Sequence, residues 1–252
     1  MVQVGSGKFL QNEIEIRMTN KSALPDPADF ADITEWVFDL DNTLYPRHTD
    51  LFSQIDKKMT AYVRDLLDLD HDAARSIQKK YYREHGTTLQ GLMLHHGIDP
   101  NDFLEKVHDI DYSWVKPDPV LGAAIKALPG RKFIFTNGDT PHAERAAQAL
   151  GILDHFDDIF DIVAADLKPK PAPETYDRFL ARHGVHKDKA AMFEDLPRNL
   201  LAPHALGMRT VLIVPNNLDV VLDEVWEHEG KDGDHIDHVT DDLAAFLIRA
   251  VS

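Results

Sequence analysis

The sequence predicts an α/β protein: a doubly wound parallel sheet, helices on both faces, with an α-helical domain inserted after the first strand. Three observations carry this. Six short apolar runs alternate with helical stretches. One long segment, from about Leu51 to Val107, is helical throughout and breaks the alternation. Four of the strands end in polar or charged residues, which is where ligands bind in open α/β sheets.

The elements follow in order. Residues 1–32 show no clean period and carry Gly5, Gly7, Pro25 and Pro27, so they read as a loose or weakly packed arm. Trp36-Val37-Phe38 is the first strand, and later strands are expected at Lys132–Thr136, Ile159–Ala164, Ala190–Phe193, Arg209–Val214 and Ile236–Val239. Between them lie helices that begin after Pro119 or end at Gly151, Gly184 and Gly207. Thr240 followed by two aspartates predicts a capped last helix bearing Leu243, Phe246 and Leu247. Within the insert, Leu51, Ile55, Met59 and Val63 repeat at helical spacing. Ile77 with Tyr81 and Leu89 with Met93 do the same, and Asp99-Pro100 opens a fourth helix. The domains therefore divide into an arm (1–32), a sheet core (33–46 and 116–252) and a helical cap (47–115), with crossings near Tyr45–Pro46 and Lys116–Pro119.

Composition narrows the function. The 252-residue chain is 43% hydrophobic, enough for a sizeable core, and contains no cysteine, which removes disulfides, thiolate zinc sites and a thiol nucleophile. That fits a reducing cytoplasm. Lys plus Arg number 27 against 43 Asp plus Glu, a net charge of −16. Such a chain repels nucleic-acid polymers and anionic membranes, and no apolar run is long enough to span a bilayer. A small molecule is the expected partner.

The strand ends supply Asp39 and Asp41, Thr136 and Asn137, then Lys170 in a loop, then Glu194 and Asp195. Carboxylates gathered this way repel one another unless a divalent cation lies between them, and Mg²⁺ suits an all-oxygen set. A lysine and a Thr-Asn pair facing that cation point to an anionic ligand with several oxygens, for which phosphate fits best. The four segments read Asp39-Leu40-Asp41-Asn42-Thr43, Thr136-Asn137-Gly138-Asp139, Lys170-Pro171-Ala172-Pro173 and Glu194-Asp195-Leu196-Pro197-Arg198-Asn199.

In this order they resemble the DxD, Thr, Lys and acidic-pair motifs of the haloacid dehalogenase (HAD) superfamily, over about residues 34–214. Residues 39–46, Asp-Leu-Asp-Asn-Thr-Leu-Tyr-Pro, and the run Tyr82 to Leu89 resemble its pyrimidine 5′-nucleotidase branch. The resemblance implies a Rossmann-like core with a helical cap between the first and second motifs. It implies a Mg²⁺-dependent phosphomonoester hydrolase working through an aspartyl-phosphate. Asp39 is then the nucleophile and Asp41 the general acid and base. Thr136, Asn137 and Lys170 hold the phosphoryl group. Asp39, the Asp41 carbonyl and Asp195 hold the metal, with Glu194 a further candidate. Lys168 competes with Lys170 for the lysine role, but Lys-Pro-x-Pro favours Lys170. Cap side chains near Arg83–Thr88 are expected to read the nucleoside.

Alternatives remain open. Phosphoglycolate, a sugar phosphate or phosphomutase chemistry all suit the same motifs, whereas carbon–halogen cleavage does not need the acid at Asp41. A receiver-like or silent phosphate-binding module is the non-enzymatic option, disfavoured by the first-strand DxD and the cap. Histidines at 95/96, 183/186 and 235/238 lack zinc-ligand context, and Asp232, Asp234 and Asp237 lack calcium-loop spacing. Tyr81, Tyr82 and Trp114 are read first as packing residues and second as a surface that could stack a base.

Overall fold

The computed structural model describes residues 24–215 and 229–252. Its strands are β1 (Glu35–Phe38), β2 (Arg131–Phe135), β3 (Asp158–Phe160), β4 (Ala190–Glu194), β5 (Arg209–Ile213) and β6 (His238–Thr240). They form one sheet in the order β3-β2-β1-β4-β5-β6, every pair parallel. The chain winds outward from β1 to β3, then returns to β4 on the other side of β1. That reversal opens a crevice at the carboxyl ends of β1 and β4.

Alternation along the central strands explains the two layers. Trp36, Phe38, Ala191 and Phe193 point to one face, where α5 (Pro119–Ala127), α6 (Thr140–Leu150) and α9 (Leu243–Ala250) pack. Val37, Phe133, Phe135 and Met192 point to the other, covered by α7 (Pro173–His183) and α8 (Leu201–Leu206). Phe38 and Phe193 stack at 4.7 Å across the β1–β4 pair. Each such buried side chain contributes about 1.5–3 kcal/mol by leaving water.

Two sequence expectations need correction, and a third, the capped last helix, holds with its cap now assigned. The third strand stops at Phe160 instead of reaching Ala164, because the Asp161 carboxylate draws the backbone into a turn. It accepts from Ala164 N at 2.7 Å and from Thr140 N and Oγ1 at 2.8 and 2.7 Å. The last helix is capped by Asp242, which accepts from Ala245 N at 2.9 Å, while Thr240 ends β6 and accepts from Asp242 N. The arm's described end is pinned: Phe30 is buried, stacked on Trp36 at 6.0 Å and edge-on to Phe246 at 5.5 Å. Residues 1–23 of the expected arm lie outside the described residues.

Between β1 and α5 run α1 (Leu51–Leu67), α2 (His71–His85), α3 (Thr88–His96) and α4 (Pro100–Val107). Their apolar faces make a cluster of their own around Ile55, Val63, Leu92, Phe103 and Leu104, joined to the sheet layer through Ile162. Side-chain caps start three of them, the expected Asp99 together with Asp70 and Thr87: Asp70, Thr87 and Asp99 accept from Ala73 N, Gln90 N and Asn101 N. Gly91 lets α3 lie directly on α2, since a β-carbon there would stand 2.4 Å from Tyr81 Cβ. Among the described residues, no helix is long and apolar enough to cross a membrane.

Candidate active site

The parallel register of β1 and β4 pairs Phe38 with Phe193, so Asp39 and Glu194 emerge as neighbours, and Asp39 N donates to Phe193 O at 2.9 Å. Lys170 reaches between them. Its Nζ donates to Asp39 Oδ1 at 2.6 Å, Glu194 Oε1 at 2.7 Å and Phe135 O at 2.8 Å, and the side chain is 1% exposed. Lys168 takes no part; its carbonyl accepts from Thr175 Oγ1. The Lys170 loop is fixed by Asn137, whose amide donates to Lys170 O at 3.2 Å and accepts from Lys170 N at 2.8 Å.

Glu194 has both oxygens engaged. Oε1 also accepts from Asn199 Nδ2 at 2.6 Å, and Oε2 accepts from Leu196 N at 2.9 Å. Asp195 Oδ2 faces Arg47 Nη2 at 3.0 Å. Ligand oxygens of Asp39, Glu194 and Asp195 lie within 4.8 Å of one another, a grouping that can hold a cation. Burial pushes the Asp39 carboxyl well above its ordinary value. Lys170 opposes that rise, while the carboxylates of Glu194, Asp195 and Asp41 add to it. Lys170 itself is held charged: burial disfavours the ammonium, but Asp39 and Glu194 outweigh it. Carboxylates outnumber cations here, and a divalent ion would restore the balance.

Asp41 lines the same cavity with partners of its own. Its Oδ1 accepts from Tyr45 Oη and lies 2.8 Å from His142 Nε2. Burial raises the Asp41 pKa, yet His142 and Tyr45 together bring it below the ordinary carboxylate value. His142 is fully buried, stacks on His108 at 4.4 Å, and meets Tyr112 Oη through Nδ1 at 2.9 Å. His108 Nδ1 stands 2.9 Å from Asp139 Oδ1. Gly138 makes room for this stack, because a β-carbon there would sit 3.1 Å from His142 Cδ2.

Asp39, Asp41, Asn137, Lys170, Glu194 and Asp195 therefore line one cavity, closed on the cap side by an apolar wall that includes Phe52, Ile55, Met59 and Phe103. Thr136 stands behind that lining. It is 1% exposed, and its Oγ1 accepts from Gly138 N at 2.9 Å, closing the turn after β2. The expected reading segment splits in two. Tyr82, Thr87 and Thr88 face the cavity, but Arg83 to Gly86 border a separate cleft with Lys168 and Arg198, because α2 ends there and turns its last residues outward. Of the three aromatics, Tyr82 reaches the site, Tyr81 packs within the cap and Trp114 is exposed.

Four participants were not visible as site residues in the sequence: Arg47, Tyr45, His108 and His142. Tyr45 stands four residues after Asp41, and His142 three after Asp139 at the start of α6, so helical spacing from a motif residue was the available signal. Asn199 stood inside a motif, and its Oδ1 is buried at the site without a partner. Two of the histidine pairs of the sequence, 183/186 and 235/238, form no joint site: His183 packs among Phe133 and Phe179, and His235 binds Pro197 O while His238 packs on Phe30. Asp237 caps Thr210 N at 2.9 Å and so serves the backbone.

Residues 36–207 match the family model described as haloacid dehalogenase-like hydrolase. The chain is 29% identical over 207 residues to phosphate metabolism protein 8 of Saccharomyces cerevisiae, an alignment covering 75% of this chain; it spans 63% of that curated relative's length. Among solved structures it resembles the L-2-haloacid dehalogenase of Xanthobacter autotrophicus, with TM-score 0.53 and 17% identity over 87% of this chain and all of that one. It also resembles a HAD phosphatase from Thermococcus onnurineus, with TM-score 0.52 and 19% identity over 82% and 93% of the two chains. At these identities the structures show a shared fold.

Proposed function

The chain belongs to the haloacid dehalogenase-like hydrolases, and from that premise we propose a Mg²⁺-dependent phosphomonoesterase acting through an aspartyl-phosphate. Its proposed substrates are nucleoside 5′-monophosphates, pyrimidine ones preferred. The observation that carries the chemistry is the pairing of two unlike carboxylates: Asp39 against Lys170 at 2.6 Å, and Asp41 against His142 at 2.8 Å. In two-step ester hydrolysis one carboxylate attacks while the other manages protons.

An Asp39 carboxylate oxygen attacks phosphorus as the P–O bond to the alcohol breaks, and the leaving oxygen takes a proton from the Asp41 side. Water then attacks the phosphorus, gives its proton to Asp41, and the Asp39–phosphate bond breaks. Tyr112 Oη donates to the His108 carbonyl at 3.3 Å, so it accepts from His142 Nδ1–H. The proton between His142 Nε2 and Asp41 Oδ1 is then the one available to the leaving group. Lys170 stabilises charge gathering on Asp39 and the phosphoryl oxygens, and Glu194 with Asn199 positions Lys170 and the turn around it. Asn137 contributes from the cavity wall at the end of β2, and Thr136 holds the turn behind it.

Asp39, Asp195 and the Asp41 carbonyl would hold Mg²⁺. The all-oxygen donors fit a hard ion, and the orphaned Asn199 Oδ1 suits a water of its shell. When bound, the ion supplies charge neutralisation for the phosphoryl group.

The division into core (33–46, 116–252) and cap (47–115) is part of this reading, with the cap excluding water when closed. Tyr82, with the Arg198 guanidinium 5.0 Å from its ring, supports the stacking of a base. The apolar cap wall favours a substrate with a flat or apolar part over phosphoglycolate or a sugar phosphate. The lack of cysteine supports a cytoplasmic setting.

The test is phosphate release with Mg²⁺ from UMP, CMP, dTMP, AMP, GMP, phosphoglycolate and a sugar phosphate, with Asp39→Asn as the blank. Selective turnover of pyrimidine nucleotides, lost in the variant, is expected. A different preference would overturn the substrate while leaving the chemistry, and no turnover of any ester would overturn both.

A further inference from the structure

Outside the hydrolytic site, the cap brings three histidines together around one tyrosine. His85 ends α2 and His95 lies in the last turn of α3, ten residues apart in sequence, yet their Nε2 atoms face each other at 3.1 Å. The close α2–α3 approach permitted by Gly91 makes this possible. Tyr81 orders the group: its ring stacks on His95 at 5.1 Å and 17°, and lies 5.8 Å from His85. Its hydroxyl engages His96 Nε2 at 2.8 Å, which commits the third histidine elsewhere. Among the described residues, neither His85 Nε2 nor His95 Nε2 has another hydrogen-bond partner.

We propose that His85 and His95 chelate a divalent transition ion, Zn²⁺ first among them, at a cap site separate from the carboxylate cluster. Tetrahedral zinc with bonds of about 2.0–2.1 Å places two nitrogens about 3.3 Å apart, so only a small ring movement admits the ion. The remaining positions take water, since His95 is exposed and His85 borders an open cleft. Arg83, Lys168 and Arg198 border the same cleft. Glu84 borders it too and offsets one of these charges, but the net positive charge offers a hard cation little electrostatic hold, so an ion here would be held by bonds to the nitrogen lone pairs. His85 precedes Gly86, whose carbonyl faces Arg198 Nη2 at 3.4 Å and whose added β-carbon would stand 3.0 Å from Pro169. An ion here ties α2 to α3 where the cap meets the Lys170 loop.

The site does not depend on the hydrolytic reading, and its test uses binding. Tag-free full-length protein carrying Asp39→Asn, in excess Mg²⁺, is titrated calorimetrically with Zn²⁺, alone and with His85→Gln, His95→Gln or His96→Gln added. One equivalent is expected to bind, about tenfold or more weaker in the His85 and His95 variants and within about threefold in the His96 variant. Cu²⁺ bound in place of zinc should show two coordinated nitrogens by electron paramagnetic resonance. Circular dichroism establishes that the variants fold. Zinc binding that survives both the His85 and His95 changes, or no binding at all, overturns the proposal.

Discussion

Across one cavity stand two differently built walls. On the core side, Asp39, Lys170, Glu194 and Asn199 are each at most 6% exposed and are linked by hydrogen bonds or ion pairs of 2.6–2.7 Å. On the cap side, Phe52, Ile55, Met59 and Phe103 make an apolar wall that offers shape, with Tyr82, Thr87 and Thr88 beside it. Buried charges are tolerated only when every lone pair and proton finds a partner, so the core wall has little freedom to vary without losing its geometry. An apolar wall specifies its occupant by volume and surface alone, and one side chain there can be exchanged for another of similar size at modest cost. Under the proposed function, the chemistry resides in the core and the choice of substrate in the cap.

The largest effect should come from the core wall. Lys170→Met removes the cation between Asp39 and Glu194 and leaves two carboxylates facing each other in a buried place. Turnover should fall about 10³-fold, with every ester in the panel losing by the same factor, because the lost interaction is with the phosphoryl group they share. Steady-state kcat on three esters checks this. A loss confined to one substrate would mean that Lys170 also contributes to selection, and the division between walls would fail.

The same division explains what was legible in the sequence. Asp39, Lys170, Glu194 and Asp195 could be picked out because parallel strands deliver their carboxyl ends to one place, so short motifs in a fixed order report three-dimensional proximity. Five of the six strands fell within a residue or two of their observed limits; the third was overrun because Asp161 takes backbone amides that a ladder would need. His142 escaped notice because its role depends on α6 docking against Tyr112 and His108 from the cap exit, a long-range contact that no local pattern encodes. The split of Arg83–Thr88 between two cavities escaped for the same reason: helical spacing predicts α2, but only its packing angle on α3 decides which end faces the site.

A sharper version of the comparison uses Tyr82, the aromatic on the cap wall. Tyr82→Ala removes a stacking surface of about 1–3 kcal/mol. Nucleotides should lose roughly tenfold in kcat/KM, mostly through KM, while an ester without a base should change by less than about twofold. Equal losses on both would show that Tyr82 supports the site's shape and does not select.

The smallest effect tests whether the cap holds itself together independently of the site. Asp56 on α1 accepts from Arg75 Nη1 at 2.9 Å and Gln78 Nε2 at 2.6 Å and lies 3.0 Å from Lys79 Nζ, tying α1 to α2. Burial alone would raise its pKa, but Lys79, Gln78 and Arg75 outweigh burial and hold it below the ordinary carboxylate value. A carboxylate with a lowered folded-state pKa stabilises the protein above its unfolded value, and that contribution disappears as pH falls through the lowered one. Asp56→Asn should therefore cost about 1–2 kcal/mol at neutral pH, between the values for exposed and buried pairs. The gap from the parent should close as the pH drops below about 4. Urea unfolding of both proteins from pH 7 downward measures it. A gap that persists in acid would assign the loss to packing at the α1–α2 contact instead of charge, and Lys79→Met, which keeps most of the side-chain volume, would then leave stability unchanged.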